Sequence, residues 1–154
     1  MTRPLAARAP AARGFTLVEL LTTITIGAIL TALAVAGYSS QIRKSRRTEA
    51  KTAMLDLAGR EERNLSTVNA YSAVPTELGY AAVSYPMLIG NGYYTINVVV
   101  VPPAPGVPAQ YTITATPVGN QAQDAGCASF TVDQQGNRLA TDVTGADASA
   151  TCWR

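Results

Sequence analysis

From Phe15 to Tyr38 the chain reads FTLVELLTTITIGAILTALAVAGY, a stretch whose only charge is Glu19. Its other polar positions are small hydroxyls, Thr16, Thr22, Thr23, Thr25 and Thr31, which can return a hydrogen bond to a helical backbone. As an α-helix the stretch spans roughly 35 Å, enough to cross a hydrocarbon core of about 30 Å with a modest tilt. The sequence therefore predicts a membrane-capable helix with an acid near its start. Such an acid costs about 2.5 to 3.5 kcal/mol at the bilayer centre, so it needs a partner or an interfacial position.

The residues around that acid form a pattern. Arg13-Gly14-Phe15-Thr16-Leu17-Val18-Glu19 resembles the cleavage and methylation motif of type IV prepilins. It combines a basic leader, a Gly-Phe junction, an acid five positions into the mature chain and some twenty apolar residues behind it. The resemblance implies that a prepilin peptidase cuts after Gly14 and methylates the new N-terminal Phe15. It also implies that Glu19 serves subunit assembly.

Two plainer readings compete. One is an ordinary anchor in which Glu19 has no task. The other is a secretory signal peptide: Arg3, Arg8 and Arg13 give a basic leader, and Ala34-Val35-Ala36 before Gly37 offers an A-x-A site. Against the second, the apolar run is longer than the usual 7 to 15 residues and contains a glutamate.

The chain has 154 residues, 47% apolar and 14% charged, with net charge +2. That suits one globular domain besides the membrane segment. Losing the leader's three arginines turns the charge from +2 to −1. Orientation is contested by charge. Arg43, Lys44, Arg46, Arg47 and Lys51 follow the apolar run, and a positive-inside count places that side in the cytoplasm. The resemblance places the leader there instead, and it is the resemblance that we follow.

From Tyr38 to Leu65 the apolar residues Ile42, Ala50, Ala53, Met54, Leu57 and Leu65 recur at helical spacing. Phe15–Leu65 thus reads as one helix with a naked first half and an amphipathic second half. Asp56 with Arg60, and Arg46 with Glu49, are spaced to pair along it. The segment Arg43-Lys44-Ser45-Arg46-Arg47-Thr48-Glu49-Ala50 also resembles pilins. Where many pilins have a kinking proline this chain has Ala36, so the kink is expected to be absent or displaced, with Gly27 and Gly37 as weak points.

Residues Ser66 to Asn91 hold Pro75, Gly79, Pro86 and Gly90 without a sustained period, which predicts a connecting loop with at most one short element. Tyr71 and Tyr80 read as packing residues. Strands are expected at Tyr93–Val101, Tyr111–Thr116, Cys127–Val132 and Arg138–Thr141, the first pair joined by the turn Pro102–Pro108. The fold class is α+β: a long N-terminal helix packed on an antiparallel sheet of about four strands.

In an exported domain the pair Cys127 and Cys152 reads as a disulfide. The loop it would close resembles the disulfide-bounded loop of pilins, and the ending Cys152-Trp153 fits their minor branch. Asp142 and Asp147 lack an EF-type spacing and are not assigned to calcium. The basic cluster from Arg43 to Lys51 invites a nucleic-acid reading, but from Asn64 onward Arg138 and Arg154 face Glu77, Asp124, Asp133, Asp142 and Asp147. A DNA receptor needs a basic face, so the membrane boundary or acids of neighbouring subunits are the preferred partners of that cluster.

With no histidine, no G-x-S-x-G, no phosphate-binding glycine loop and no metal-spaced cysteines, the chain offers no reaction centre, and neither cofactor nor metal is expected. The reading is a leader at 1–14, a transmembrane and filament-core helix at 15–38 and a periplasmic or extracellular head at 39–154. The resemblance implies a pilus subunit of the minor-pilin kind, in the inner membrane before assembly and in the extracellular pilus after it. Its implied partners are other pilins, the peptidase and the assembly machinery, and its implied roles adhesion, twitching motility or DNA uptake. A major pilin, a type II secretion pseudopilin and a soluble protein released after Ala36 stand as alternatives.

Overall fold

The computed structural model describes residues 14–154. The leader arginines Arg3, Arg8 and Arg13 lie outside the described residues. The chain divides into two units, one ending at Ser39 and one spanning Ser40–Arg154.

Helix α1 runs Leu17–Val68, two residues later at its start and three later at its end than the spacing predicts. The start is set by Thr16, whose Oγ1 accepts the backbone N–H of Glu19 at 3.2 Å. Thr-x-x-Glu is the capping-box spacing, and the hydroxyl satisfies one of the first turn's orphan donors. In the first unit the threonines bond back to the helix: Thr22 to Val18 and Glu19, Thr23 to Glu19, Thr25 to Leu21 and Thr31 to Gly27, each through its carbonyl oxygen. The hydroxyls of these threonines are thereby used internally. The segment's large apolar side chains from Leu17 to Leu33 are exposed.

In the second unit the rest of α1 contributes Ala50, Met54 and Leu57 to a core shared with the sheet residues Ile96, Val98, Ile113, Phe130 and Val132. The sheet is an antiparallel meander of five strands in sequence order: β1 Met87–Ile89, β2 Tyr94–Val101, β3 Gln110–Pro117, β4 Ser129–Asp133 and β5 Arg138–Thr141. Alternation places Tyr94, Ile96 and Val98 inward on β2, and Tyr111, Ile113 and Ala115 inward on β3. Register pairs Ile96 with Ala115 and Val98 with Ile113. The β2–β3 hairpin closes at Ala104-Pro105-Gly106-Val107, where Ala104 and Val107 exchange both backbone bonds. Proline presets the first central position and Gly106, at φ 78, takes the left-handed second one.

Three expectations need correction. The sheet has five strands, because Met87–Ile89 forms the edge strand β1 within the segment expected to be loop. The same segment contains a 3₁₀ turn, Pro75–Leu78. Arg46 and Glu49 do not pair with each other. Arg46 lies over the Tyr93 ring at 3.7 Å, and Glu49 Oε1 accepts the N–H of Asn91 at 2.7 Å. Both groups gain more from fixed partners in the turn between β1 and β2 than from an exposed pair worth a few tenths of a kcal/mol. Asp56 and Arg60 do pair, at 2.8 Å.

Candidate assembly interface and the polar sites of the head

Gly14, Phe15 and Thr16 precede α1 in non-helical conformation. Together with Glu19 they line a cleft of about 410 Å³. The Phe15 side chain is 84% exposed, and Leu17, Leu20, Leu21, Ile24, Ile26, Ile29, Leu30 and Leu33 are all exposed as well. Burying each such side chain is worth about 1.5 to 3 kcal/mol, so water is a poor final solvent for this segment. Helix α1 is long and apolar enough to cross a membrane. Chemically, the cleft offers a carboxylate beside an apolar surface, which suits capture of a cation delivered from outside the chain.

The second unit carries a polar network that links α1 to the loop between β3 and β4. Arg47 donates to both oxygens of Asp124, Nε to Oδ2 at 2.6 Å and Nη2 to Oδ1 at 2.5 Å. Buried Gln121 supports the pair, its Nε2 donating to Asp124 Oδ2 and to the Tyr94 hydroxyl, each at 3.1 Å. The hydrogen bonding of Arg47 to the Asp124 carboxylate raises the guanidinium further above its already high value. Lys51, one turn on, donates to the carbonyl oxygens of Cys152 and Arg154, each at 2.9 Å. Burial, and then the charge of Arg47, lowers its ammonium. Lys44, Arg47, Lys51 and Arg154 thereby line one cleft of about 290 Å³.

A charge count along the chain missed this grouping because it separated α1 from the residues after Asn64. The helical spacing held the signal. Arg43, Arg47, Ala50, Met54, Leu57 and Glu61 follow one another at three- and four-residue steps, so Arg47 and Glu61 belong to the same stripe as the core residues. Glu61 is fully buried. Its Oε2 accepts the N–H of Ser72 at 2.9 Å, while Oε1 and the nearby Tyr85 hydroxyl have no hydrogen-bond partner among the described residues. Burial raises the Glu61 carboxyl above its ordinary value, and Glu62 and Glu77 add to the effect. Burial likewise pushes the Tyr85 phenol up to about 12.

Cys127 and Cys152 are joined in a disulfide with 5.9 Å between Cα atoms. Beside it, Trp153 packs edge-on against Phe130 with ring centres 5.8 Å apart, and its Nε1 donates to the Leu139 carbonyl at 2.8 Å. Asp142 and Asp147 spend their carboxylates on local turns, accepting from Thr144 and Ala146 and from Ser149 respectively. Among the described residues no three His, Cys, Asp or Glu side chains converge as a metal site.

Residues 36–131, well over half of the chain, match the model of a family described as type IV minor pilin ComP, DNA uptake sequence receptor. The chain belongs to this family of type IV minor pilins. Residues 10–35 of the pilin match the prokaryotic N-terminal methylation motif. Among solved structures, a type IV pilin from Shewanella oneidensis is similar at 22% identity and a TM-score of 0.42, over 62% of this chain and 89% of that one. Among curated proteins nothing matches. As a pilin the chain is a structural subunit of a pilus, and its partners are other pilin subunits.

Proposed function

We propose that this minor pilin is cut after Gly14 by a prepilin peptidase, methylated on Phe15, and held in the inner membrane by residues 15–38 until its helix passes from lipid into a filament. There Glu19 offsets the charged amine of a neighbouring Phe15. Two groups that are costly to bury apart become tolerable together. The observation that carries this reading is the first unit itself: a capped helix with its apolar side chains exposed and one carboxylate beside Phe15. Glu19→Ala is expected to leave the protein cut and membrane-held but absent from sheared filaments. Normal incorporation of that variant would overturn the pairing. Mass spectrometry of the mature N-terminus tests the processing, which requires methylated Phe15 and fails if the chain begins at Gly37.

The family description favours a second reading for the head, as a receptor for DNA taken up by the pilus. Acids outnumber bases after Asn64, but the cleft lined by Lys44, Arg47, Lys51 and Arg154 supports the reading with a local concentration of positive charge. Lys44→Ala together with Arg154→Ala should weaken binding of duplex DNA and flatten its salt dependence by about two units of slope. Unchanged affinity and slope would remove the cleft from this role.

A further inference from the structure

The turn that joins β1 to β2 is Gly90-Asn91-Gly92-Tyr93, and Glu49 of α1 holds it like a clasp. Glu49 Oε1 accepts the backbone N–H of Asn91 at 2.7 Å, and its two oxygens accept from the Asn91 side-chain amide at 3.3 and 3.4 Å. The turn closes with the Gly92 N–H donating to the Ile89 carbonyl at 2.9 Å. Gly90 sits at φ 52 and Gly92 at φ 78, conformations that glycine takes without strain. A Cβ on Gly90 would also overlap the Glu49 carboxylate. The clasp thus requires a tight turn, and the turn places an asparagine directly before a glycine.

That order has a chemical consequence. Asparagine is among the thermolabile residues: the backbone nitrogen of the next residue can attack its side-chain carbonyl, and a side chain on that next residue hinders the approach. The chain has six asparagines, at 64, 69, 91, 97, 120 and 137, and only Asn91 is followed by glycine. Asn97 precedes the β-branched Val98 within β2, and Asn64 precedes Leu65 within α1, where its amide also donates to the Ala70 carbonyl at 3.0 Å. At Gly92 the position a Cβ would take has no atom within 4 Å, so no side chain obstructs ring closure there. Asn91 is exposed to water. The hydrogen bonds to Ile89 and Glu49 restrain the two reacting groups and slow the attack without covering the site.

We infer that Asn91 is a modification site, at which the folded protein deamidates spontaneously through a succinimide formed with Gly92, and that the product unfastens the β1–β2 turn from Glu49. The Gly92 nitrogen gives up its proton and bonds to Cγ of Asn91. The bond from Cγ to Nδ2 breaks, and Nδ2 departs as ammonia. Water then opens the ring, at Cγ to leave aspartate or at the backbone carbonyl to leave isoaspartate, whose main chain runs through Cγ. One water is consumed and one ammonia released, with no oxidation or reduction. Either product replaces the amide donor that faces Glu49 with a second carboxylate, and two like charges at hydrogen-bonding distance repel. Isoaspartate in addition lengthens the main chain between the Asn91 N–H and Gly92, so the turn loses its spacing.

The test uses the full chain in detergent micelles, incubated warm at neutral pH beside a portion unfolded in urea. Both are digested in acid, and mass spectrometry with isoaspartate-specific methyl transfer reads each asparagine. Aspartate and isoaspartate are expected at position 91 of the folded chain ahead of the other five positions. Asn91 left intact in the folded chain over a period that converts it in the unfolded one overturns the site, as does earlier conversion at another asparagine. Asn91→Asp reproduces one product and should speed hydrogen exchange of the residue 91 N–H by roughly tenfold. Asn91→Ser keeps the N–H, has no amide to lose, and should remain protected and unconverted. If Asn91→Asp also lowers the protection of β3 and β4, the converted fraction of the native chain, separated by its added negative charge, is read in its place. Exchange at residue 91 as slow in the product as in the native chain overturns the unfastening.

Discussion

Arg47 and Asp124 stand 77 residues apart in sequence and meet through two short hydrogen bonds, with side-chain exposures of 17% and 5%. The pair ties α1 to the loop that enters β4. Because both groups are largely out of water, each is tolerable only with the other present.

Asp124→Ala should therefore cost about 3 kcal/mol, since it leaves the Arg47 guanidinium buried without a counter-charge and frees Gln121 from one of its acceptors. Replacing both members, as Arg47→Met with Asp124→Leu, should cost less than the single change. Chemical denaturation of the three variants checks the order. A single variant as stable as the native chain would mean that the pair is solvated in practice.

Glu61→Gln should stabilise the protein at pH 7 and do little near pH 4. The native state holds the Glu61 proton more tightly than the unfolded chain does. Stability from this group is thus full below the ordinary value of 4.5 and declines as pH rises through the higher native value. Glutamine keeps an acceptor for the Ser72 N–H without the buried charge. Melting temperatures at the two pH values decide the matter, and a glutamine variant that melts below the native protein at pH 7 contradicts it.

Reducing the Cys127–Cys152 bridge, which closes a sequence separation of 25, should remove about 3 kcal/mol by the chain-entropy argument. Trp153 is the only tryptophan, so its fluorescence reports on the adjoining ring stack with Phe130 and Tyr94. The emission should shift to the red on reduction, before the sheet unfolds. An unmoved emission and an unmoved melting temperature would show that the loop is held by its other contacts.

Much of the architecture was legible because it rests on long, regular patterns. The apolar run and the stripe after it specify α1 over many turns. Arg138–Thr141 forms a strand with the expected bounds, and the turn before it is fixed by Asp133, which accepts from Gln135 and Asn137. Met87–Ile89 was not legible, since three residues are too few to show a period and the strand exists only because β2 is beside it. The sequence marks Tyr71 and Tyr80 as packing residues. Both do pack, but each also donates its hydroxyl to an acid on α1, Glu62 and Asp56.

By itself the sequence determined what each segment must do with its apolar surface, because hydropathy and spacing are local properties of the chain. It determined an exposed greasy helix, a sheet-facing helix and alternating strands. Only the tertiary structure decided which polar groups were drawn inward with that surface. Arg47 and Glu61 lie on one helical stripe, yet Arg47 meets a carboxylate on a distant loop and Glu61 meets a single backbone N–H. Whether a buried charge is matched depends on chain closure in three dimensions, and no local pattern encodes that.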